Sequence, residues 1–319
     1  MTVIDEITLS DGTRLNCHRS GDPGAEVTVI FVHGYAMDHR CWVAIADELP
    51  AAVERPIQVI NYDQRGHGKS GAASAESATV HRLGDDLAEL VDRVAPTGVV
   101  IVVGHGMGGL AALALAKAHP ALFEPGGLGK IAGLVLLSTG AGDVAAEARA
   151  ATGLAVESTG TPPIAISKLM WDLESLLGSK LVDLVTDRAH KAVVTAMRWS
   201  MFGEDPRPAD VVLTLRMIRD HWPKTMALFR PGLDDYVRTA ELVVPTGTPV
   251  TAIVGERDRL VPPDRAMALV TGVAEATAIV LPDVGYMLPV ESPAQVLPRV
   301  VAMVHGVQRK LGDLGDQAR

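Results

Sequence analysis

The chain has 319 residues, 48% hydrophobic and 21% charged, which suits one large α/β unit or two small ones and is too apolar for disorder. Its 29 Lys and Arg against 38 Asp and Glu leave a net charge of −9; without a dense basic stretch, neither nucleic acid nor an anionic membrane is expected as partner. Cys17 and Cys41 make no disulfide framework, and no Cys/His spacing suits zinc, so neither metal nor cofactor is expected.

The first ten residues lack a basic region and an apolar signal core, and the longest apolar runs are too short to cross a bilayer. A cytoplasmic protein is the expectation. Residues 3–9 and 13–19, joined by Ser10-Asp11-Gly12, read as a hairpin. Runs at 27–32, 57–62, 99–103 and 131–137 are β-branched without polar alternation, and two more follow at 249–254 and 276–281. That pattern predicts strands buried on both faces of a parallel sheet. Helical stretches at 38–49, 80–94, 107–118, 263–273 and 294–310 alternate with them, which implies βαβ units and right-handed crossovers.

The alternation stops between about 140 and 244. No strand-like run lies there, but Trp171, Trp199 and Trp222 do, with Met170, Met197, Met201, Met217 and Met226. A helical insertion between two strands of one sheet reads as a cap over the strand ends. Its aromatic and Met residues serve either as its own core or as lining for an apolar pocket facing the sheet.

After the run at 99–103 comes Gly104-His105-Gly106-Met107-Gly108-Gly109, then a helix. As G-x-G-x-x-G it would be a dinucleotide fingerprint, but about a hundred patterned residues precede it. The next strand ends Leu136-Leu137-Ser138, with no acidic residue for a ribose. Gly68-Lys69-Ser70 is no phosphate loop, because Asp63 stands where a glycine would be needed. The remaining parse is a strand–turn–helix elbow, G-x-S-x-G, with Gly106 in the serine position.

With that parse, the chain resembles the α/β-hydrolase fold family over nearly its whole length. Five segments in family order carry the resemblance: His33-Gly34-Tyr35; Tyr62-Asp63-Gln64-Arg65-Gly66-His67-Gly68-Lys69-Ser70; the elbow; Gly255-Glu256-Arg257-Asp258-Arg259-Leu260-Val261-Pro262; and Gly285-Tyr286-Met287-Leu288-Pro289-Val290-Glu291-Ser292-Pro293. The resemblance implies an α/β fold with a mostly parallel eight-stranded sheet flanked by helices, a core of residues 1–139 and 245–319, and a helical cap over 140–244. By position it puts the nucleophile at Gly106, the triad acid at Asp258, the triad histidine at Tyr286, and the oxyanion hole at the backbone N–H groups of Tyr35 and Met107.

A glycine has no atom with which to form an acyl-enzyme, and a phenol with a pKa of about 10 is a poor base at neutral pH. A working serine hydrolase is therefore not expected. Cys41, His33, His67, His105 and Ser138 read as packing or hydrogen-bonding residues rather than substitutes. Thr139, Trp171, Trp199, Met201 and His221 are the candidates for lining a substrate pocket. Three functions stay open. The first is a non-hydrolytic enzyme (cyclase, isomerase or lyase) that orients a small hydrophobic substrate, polarises a carbonyl, and passes a proton through Tyr286 hydrogen-bonded to Asp258. The second is a non-catalytic small-molecule binding protein. The third is an esterase-type hydrolase inactivated at residue 106. The Ala-, Val- and Arg-rich composition resembles that of high-GC bacterial chains, where the first type serves secondary metabolism.

Overall fold

The structure, a computed structural model, describes residues 2–124, 128–140, 187–221, 224–239, 243, 247–271, 273 and 275–317. Its centre is one sheet in the order β1-β2-β4-β3-β5-β6-β7-β8. The strands β1 (Val3–Thr8) and β2 (Arg14–Gly21) form an antiparallel hairpin through Gly12, whose φ of +83° suits a residue without a Cβ. β2 pairs antiparallel with β4 (Gln58–Tyr62). Beyond it every pairing is parallel: β4 with β3 (Val27–Val32), β3 with β5 (Val99–His105), β5 with β6 (Ile131–Leu137), β6 with β7 (Val250–Gly255), and β7 with β8 (Ala276–Leu281).

Side chains alternate between the sheet's faces. Ile30, Val32, Val100 and Val102 join one apolar cluster with Leu83, Leu87, Leu110 and Leu113. Those leucines belong to α2 (Val80–Val94) and α3 (Met107–Ala118). On the other face Val29, Phe31, Ile101 and Val103 pack with Trp42, Ile45, Val300 and Val304. This layer contains α1 (Val43–Ala52) and α9 (Pro293–Gln317). Because both faces are covered, β3 to β6 are buried throughout, which is why they carry no polar alternation.

Between β6 and β7 the described residues form α4 (Asp187–Met201), α5 (Pro208–His221) and α6 (Lys224–Thr239). After β7 come α7 (Pro263–Val270) and, beyond β8, the single turn α8 (Leu288–Glu291). Several boundaries differ from the sequence expectation. The helix expected at 38–49 starts as a 3₁₀ turn, His39–Trp42, capped by the Asp38 side chain, and runs on as α1 to Ala52. α7 stops three residues short of the expected 273, and α9 runs through Pro298 to Gln317, past the expected 310. Among the described residues no helix is long and apolar enough to cross a membrane.

Candidate functional site

The turn from β5 into α3 is built from close approaches that only glycine allows. A Cβ on Gly104 would lie 2.6 Å from the Gly109 nitrogen, one on Gly108 would collide with the carbonyls of Val32 and His33, and one on Gly109 would collide with Thr139. The helix is thereby drawn down onto the ends of β3 and β6. Gly106 sits at the bend with φ +51° and ψ −114°, a strained geometry that presents residue 106 at the top of the sheet. Its N–H still donates to Leu137 O at 2.9 Å, so sheet pairing continues into the turn. Met107 opens α3, and a first helical residue has no intrahelical acceptor for its N–H. Gly34, which leads into Tyr35, lies against the elbow: a Cβ there would come within 2.8 Å of His105 Nδ1.

The phenol of Tyr286 fills the space over Gly106. A Cβ on Gly106 would run into Tyr286 Oη, with ring carbon Cζ 3.1 Å away and Cε2 3.6 Å away. Two hydrogen bonds fix the backbone of Tyr286 to the elbow. His105 Nε2 meets the Tyr286 carbonyl at 2.9 Å and Ser138 Oγ donates to it at 3.2 Å. A carbonyl only accepts, so His105 carries its proton on Nε2, and its Nδ1 is left buried without a partner. Burial pushes this imidazole down to about 4, which keeps it neutral. Burial, with Asp258 adding to it, holds the Tyr286 phenol above its usual range and therefore protonated.

Asp258 follows β7 and is 4% exposed. Its Oδ1 accepts the N–H groups of Leu260 and Val261 at 2.9 and 2.8 Å, while Oδ2 is buried and the Ser138 hydroxyl bears on the carboxyl. Burial pushes the carboxyl up to about 7, against the lowering by Val261, Ser138 and Leu260. The expected hydrogen bond from Tyr286 to Asp258 is not formed: Oδ1 is spent on its own loop, and Oδ2 accepts nothing from the phenol. Neither neighbouring arginine pairs with Asp258: Arg257 reaches Glu204 at 3.1 Å and Asp283 at 3.6 Å, and Arg259 donates to the carbonyls of Trp199 and Phe202 at 2.6 and 3.1 Å.

The end of α4 is clamped onto the loop that carries Tyr286. Met287 N donates to Met201 O at 3.0 Å, and Glu291 accepts the N–H groups of Gly203 and Gly285 at 2.8 and 2.9 Å. Met201 is buried in the same apolar cluster as Tyr286, Met37, Cys41 and Trp42. Thr139 is buried at the first turn of α3, its hydroxyl donating to Leu137 O at 3.0 Å. Two of the pocket candidates are held by other contacts. Trp199 is 42% exposed, with the Arg259 guanidinium 4.7 Å over its ring, because it faces outward from the clamped end of α4. His221 is buried with both ring nitrogens spent: Nε2 accepts Gly68 N–H at 2.8 Å, leaving Nδ1 to donate to Met217 O at 2.6 Å. It fastens α5 to the loop after β4. Trp171 lies outside the described residues.

His33 is also spent, with Nε2 accepting from Gln64 N at 2.9 Å and Nδ1 donating to Gly34 O at 2.9 Å. Cys41 is a buried thiol held well above its usual range by burial, hence inert. Asp38, His39 and Asp63 draw together in the way metal ligands do. Their oxygens are already used: Arg40 clasps Asp38 at 2.8 and 2.6 Å, and Asp63 accepts from Asn16, Lys69 and both His39 N and Nδ1 at 2.8–2.9 Å. The sequence reading missed this clasp, although the close spacing of Asp38, His39 and Arg40 was its visible trace. A surface hollow of about 220 Å³ lies beside it, lined by His18, His39 and Asn61, away from Gly106.

This glycine-packed strand–turn–helix, with an acid after β7 and a loop pressing a side chain onto the bend, defines the class: residues 29–299 match the model of the alpha/beta hydrolase family, and the chain belongs to that family. A thermophilic esterase from Thermogutta terrifontis superposes with a TM-score of 0.67 at 21% identity, over 96% of this chain and 99% of that one. An esterase from Exiguobacterium antarcticum does so with the same TM-score at 16% identity, over 94% and 98%. At such identities the likeness is one of fold. Among curated proteins, 3-oxoadipate enol-lactonase 1 of Acinetobacter baylyi is 31% identical over 117 residues, 37% of this chain and 41% of its own length. Lipase LipV of Mycobacterium tuberculosis is 34% identical over 123 residues, 39% and 41% of the two lengths. The curated relatives are matched over only 31–41% of their own length.

Proposed function

We propose that this chain is a hydrolase-fold protein whose triad has been dismantled and whose site works without a covalent step, as a cyclase, isomerase or lyase acting on a small apolar metabolite that bears oxygen. The observation that carries the reading is the packing of Tyr286 onto Gly106. A nucleophile at 106 and a phenol at 286 would compete for one space, so the two residues belong together as a unit. This also argues against a hydrolase disabled by a single change at 106, since a serine there would collide with the tyrosine already present.

Asp258 and Tyr286 are the candidate acid–base groups of the site, beside Ser138, Thr139 and His105, with the N–H of Met107, and of Tyr35 by family position, as candidate oxyanion donors. The helices between β6 and β7 act as the cap, clamped at Met201 and His221. The oxygen-bearing substrate fits relatives named as an enol-lactonase and a lipase. The site contains no cofactor in this reading, and its partner is the small molecule alone.

The test is ester hydrolysis by four proteins: the native chain, Gly106→Ser, Tyr286→His and the double variant. The expected result is weak esterase activity in the double variant only. Hydrolysis by the native chain, with a labelled acyl-enzyme, would overturn the reading. Incubation with metabolite extracts then seeks a consumed compound, and Tyr286→Phe should slow that consumption by about tenfold or more.

A further inference from the structure

We propose that His221 is a proton-operated fastening between α5 and the core. Neutral, it holds the loop after β4; protonated, it gives that loop up and turns to Asp38 in the turn before α1. The device does not depend on any chemistry at Gly106.

The two partners of the ring fix its protonation. An amide N–H only donates, so the Nε2 that meets Gly68 N at 2.8 Å carries a lone pair. A carbonyl only accepts, so the Nδ1 that meets Met217 O at 2.6 Å carries the proton. A second proton can go only to Nε2, where two N–H groups would then face each other. The bond to Gly68 is therefore open to the neutral ring alone. The same Nε2 lies 3.9 Å from Asp38 Oδ2, which accepts Arg40 Nη2 at 2.6 Å. A carboxylate oxygen takes more than one donor. Nδ1 keeps Met217 in both states, so a tilt of the ring about that bond exchanges one partner for the other.

The groups around the ring favour that exchange. Burial acts to raise the Asp38 carboxyl, but its hydrogen bonds to Arg40 hold it below the usual range, so it stands ready as an anion. It is the one carboxylate within 4 Å of His221 among the described residues. His39, on the same turn, lies 4.0 Å from Asp38 and is bonded to Asp63 at 2.8 Å. His67, its ring centroid 5.3 Å from that of His221, and His33 beyond it are kept neutral by burial. Lys69 follows Gly68 in the loop, and Lys224 opens α6. On α5 itself, Arg219 and Arg40 both reach Asp220, while Asp210 and the nearby Glu291 belong to the other end of the helix. α6 grips the same loop through a bond that no proton disturbs, from Thr225 Oγ1 to Gly66 O at 2.8 Å. Acid thus loosens α5 from the loop and leaves α6 in place.

The test is NMR of the full chain carrying nitrogen-15 in histidine and glycine, titrated from about pH 8 to about pH 5, the range in which imidazoles change charge. At the upper end, one ring nitrogen of His221 should read as protonated and the other as bare. The Gly68 amide signal should move with the midpoint at which His221 takes its second proton. Its hydrogen exchange, corrected for the intrinsic effect of pH, should become about tenfold faster, as expected for one lost hydrogen bond. His221→Gln offers an acceptor that does not titrate, so Gly68 should stay protected across the range. Asp38→Asn still caps the turn but removes the anion, so the midpoint should move to lower pH. The proposal is overturned by a ring that stays neutral throughout, or by a doubly protonated ring that leaves Gly68 unmoved. It is equally overturned by a Gly68 response that survives His221→Gln, or by an unchanged midpoint in Asp38→Asn. None of these readings involves turnover, so they succeed or fail separately from the esterase assays above.

Discussion

Tyr286 Oη stands where the Cβ of residue 106 would be, so the two positions, 180 residues apart in the chain, are complementary halves of one packing arrangement. Gly106→Ala adds both a steric conflict with the phenol and a side chain at φ +51°, and is expected to cost about 1–3 kcal/mol of stability. Tyr286→Phe removes the conflicting oxygen. In a double-mutant cycle measured by urea unfolding, the two changes should couple by about 0.5–3 kcal/mol. Simple additivity would mean that they do not share this space.

Asp258 sets an unusual pH dependence of stability. Its folded carboxyl is raised from 3.8 to about 7, so between these values the folded chain holds a proton that the unfolded chain has released. The unfolded state then binds fewer protons, and the contribution of this group to stability falls as the pH rises through that window and is level above it. Asp258→Asn has no such loss. Its stability relative to the native chain should therefore improve between pH 5 and pH 8, measured as urea midpoints at both values. A difference that stays constant would show that Asp258 is ionised in the folded protein throughout.

Arg65 and Asp86 form a two-point ion pair at 2.7 and 2.8 Å, with 3% and 2% of their side chains exposed, beneath the loop after β4. Removing one partner of such a pair strands the other charge in the interior. Arg65→Ala is expected to lower unfolding stability by about 3 kcal/mol or more. Arg82, with its Nε 2.8 Å from Asp86, supplies some compensation, so Arg65→Ala combined with Asp86→Ala should cost less than the sum of the two changes.

His221 ties α5 to the loop after β4 through the Gly68 amide. His221→Ala leaves that N–H without its acceptor, a loss of about 1–3 kcal/mol that falls on this joint. Hydrogen exchange read residue by residue should show faster exchange at Gly68 and through Pro208–His221, with protection in β5 and β6 unchanged. If the loss of protection spread evenly over the sheet, His221 would be part of the central core rather than a local fastening.

Much of the architecture was legible because it rests on short-range patterns. Unbroken β-branched runs such as 27–32 and 99–103 signal strands covered on both faces, and Gly104-His105-Gly106-Met107-Gly108-Gly109 announces a turn where backbones nearly touch. Element ends were less legible. α9 passes through Pro298 because its buried face, including Val296, Val300 and Val304, continues across it. The 3₁₀ turn at His39–Trp42 depends on hydrogen bonds from its own N–H groups to the Asp38 and Asp63 carboxylates, which local propensity does not reveal.

By itself the sequence determined which side chains are present: residue 106 carries none, and residue 286 carries a phenol. Chemistry forbidden by composition can be read without coordinates, since an absent atom is absent in every conformation. Only the tertiary structure decided that Tyr286 fills the place over Gly106, that Asp258 is buried and held by its own loop rather than bonded to Tyr286, and that His221 joins the Gly68 amide while Trp199 lies under Arg259. Those outcomes depend on which distant segments meet and on how much water is removed where they do, and neither quantity is written in local spacing.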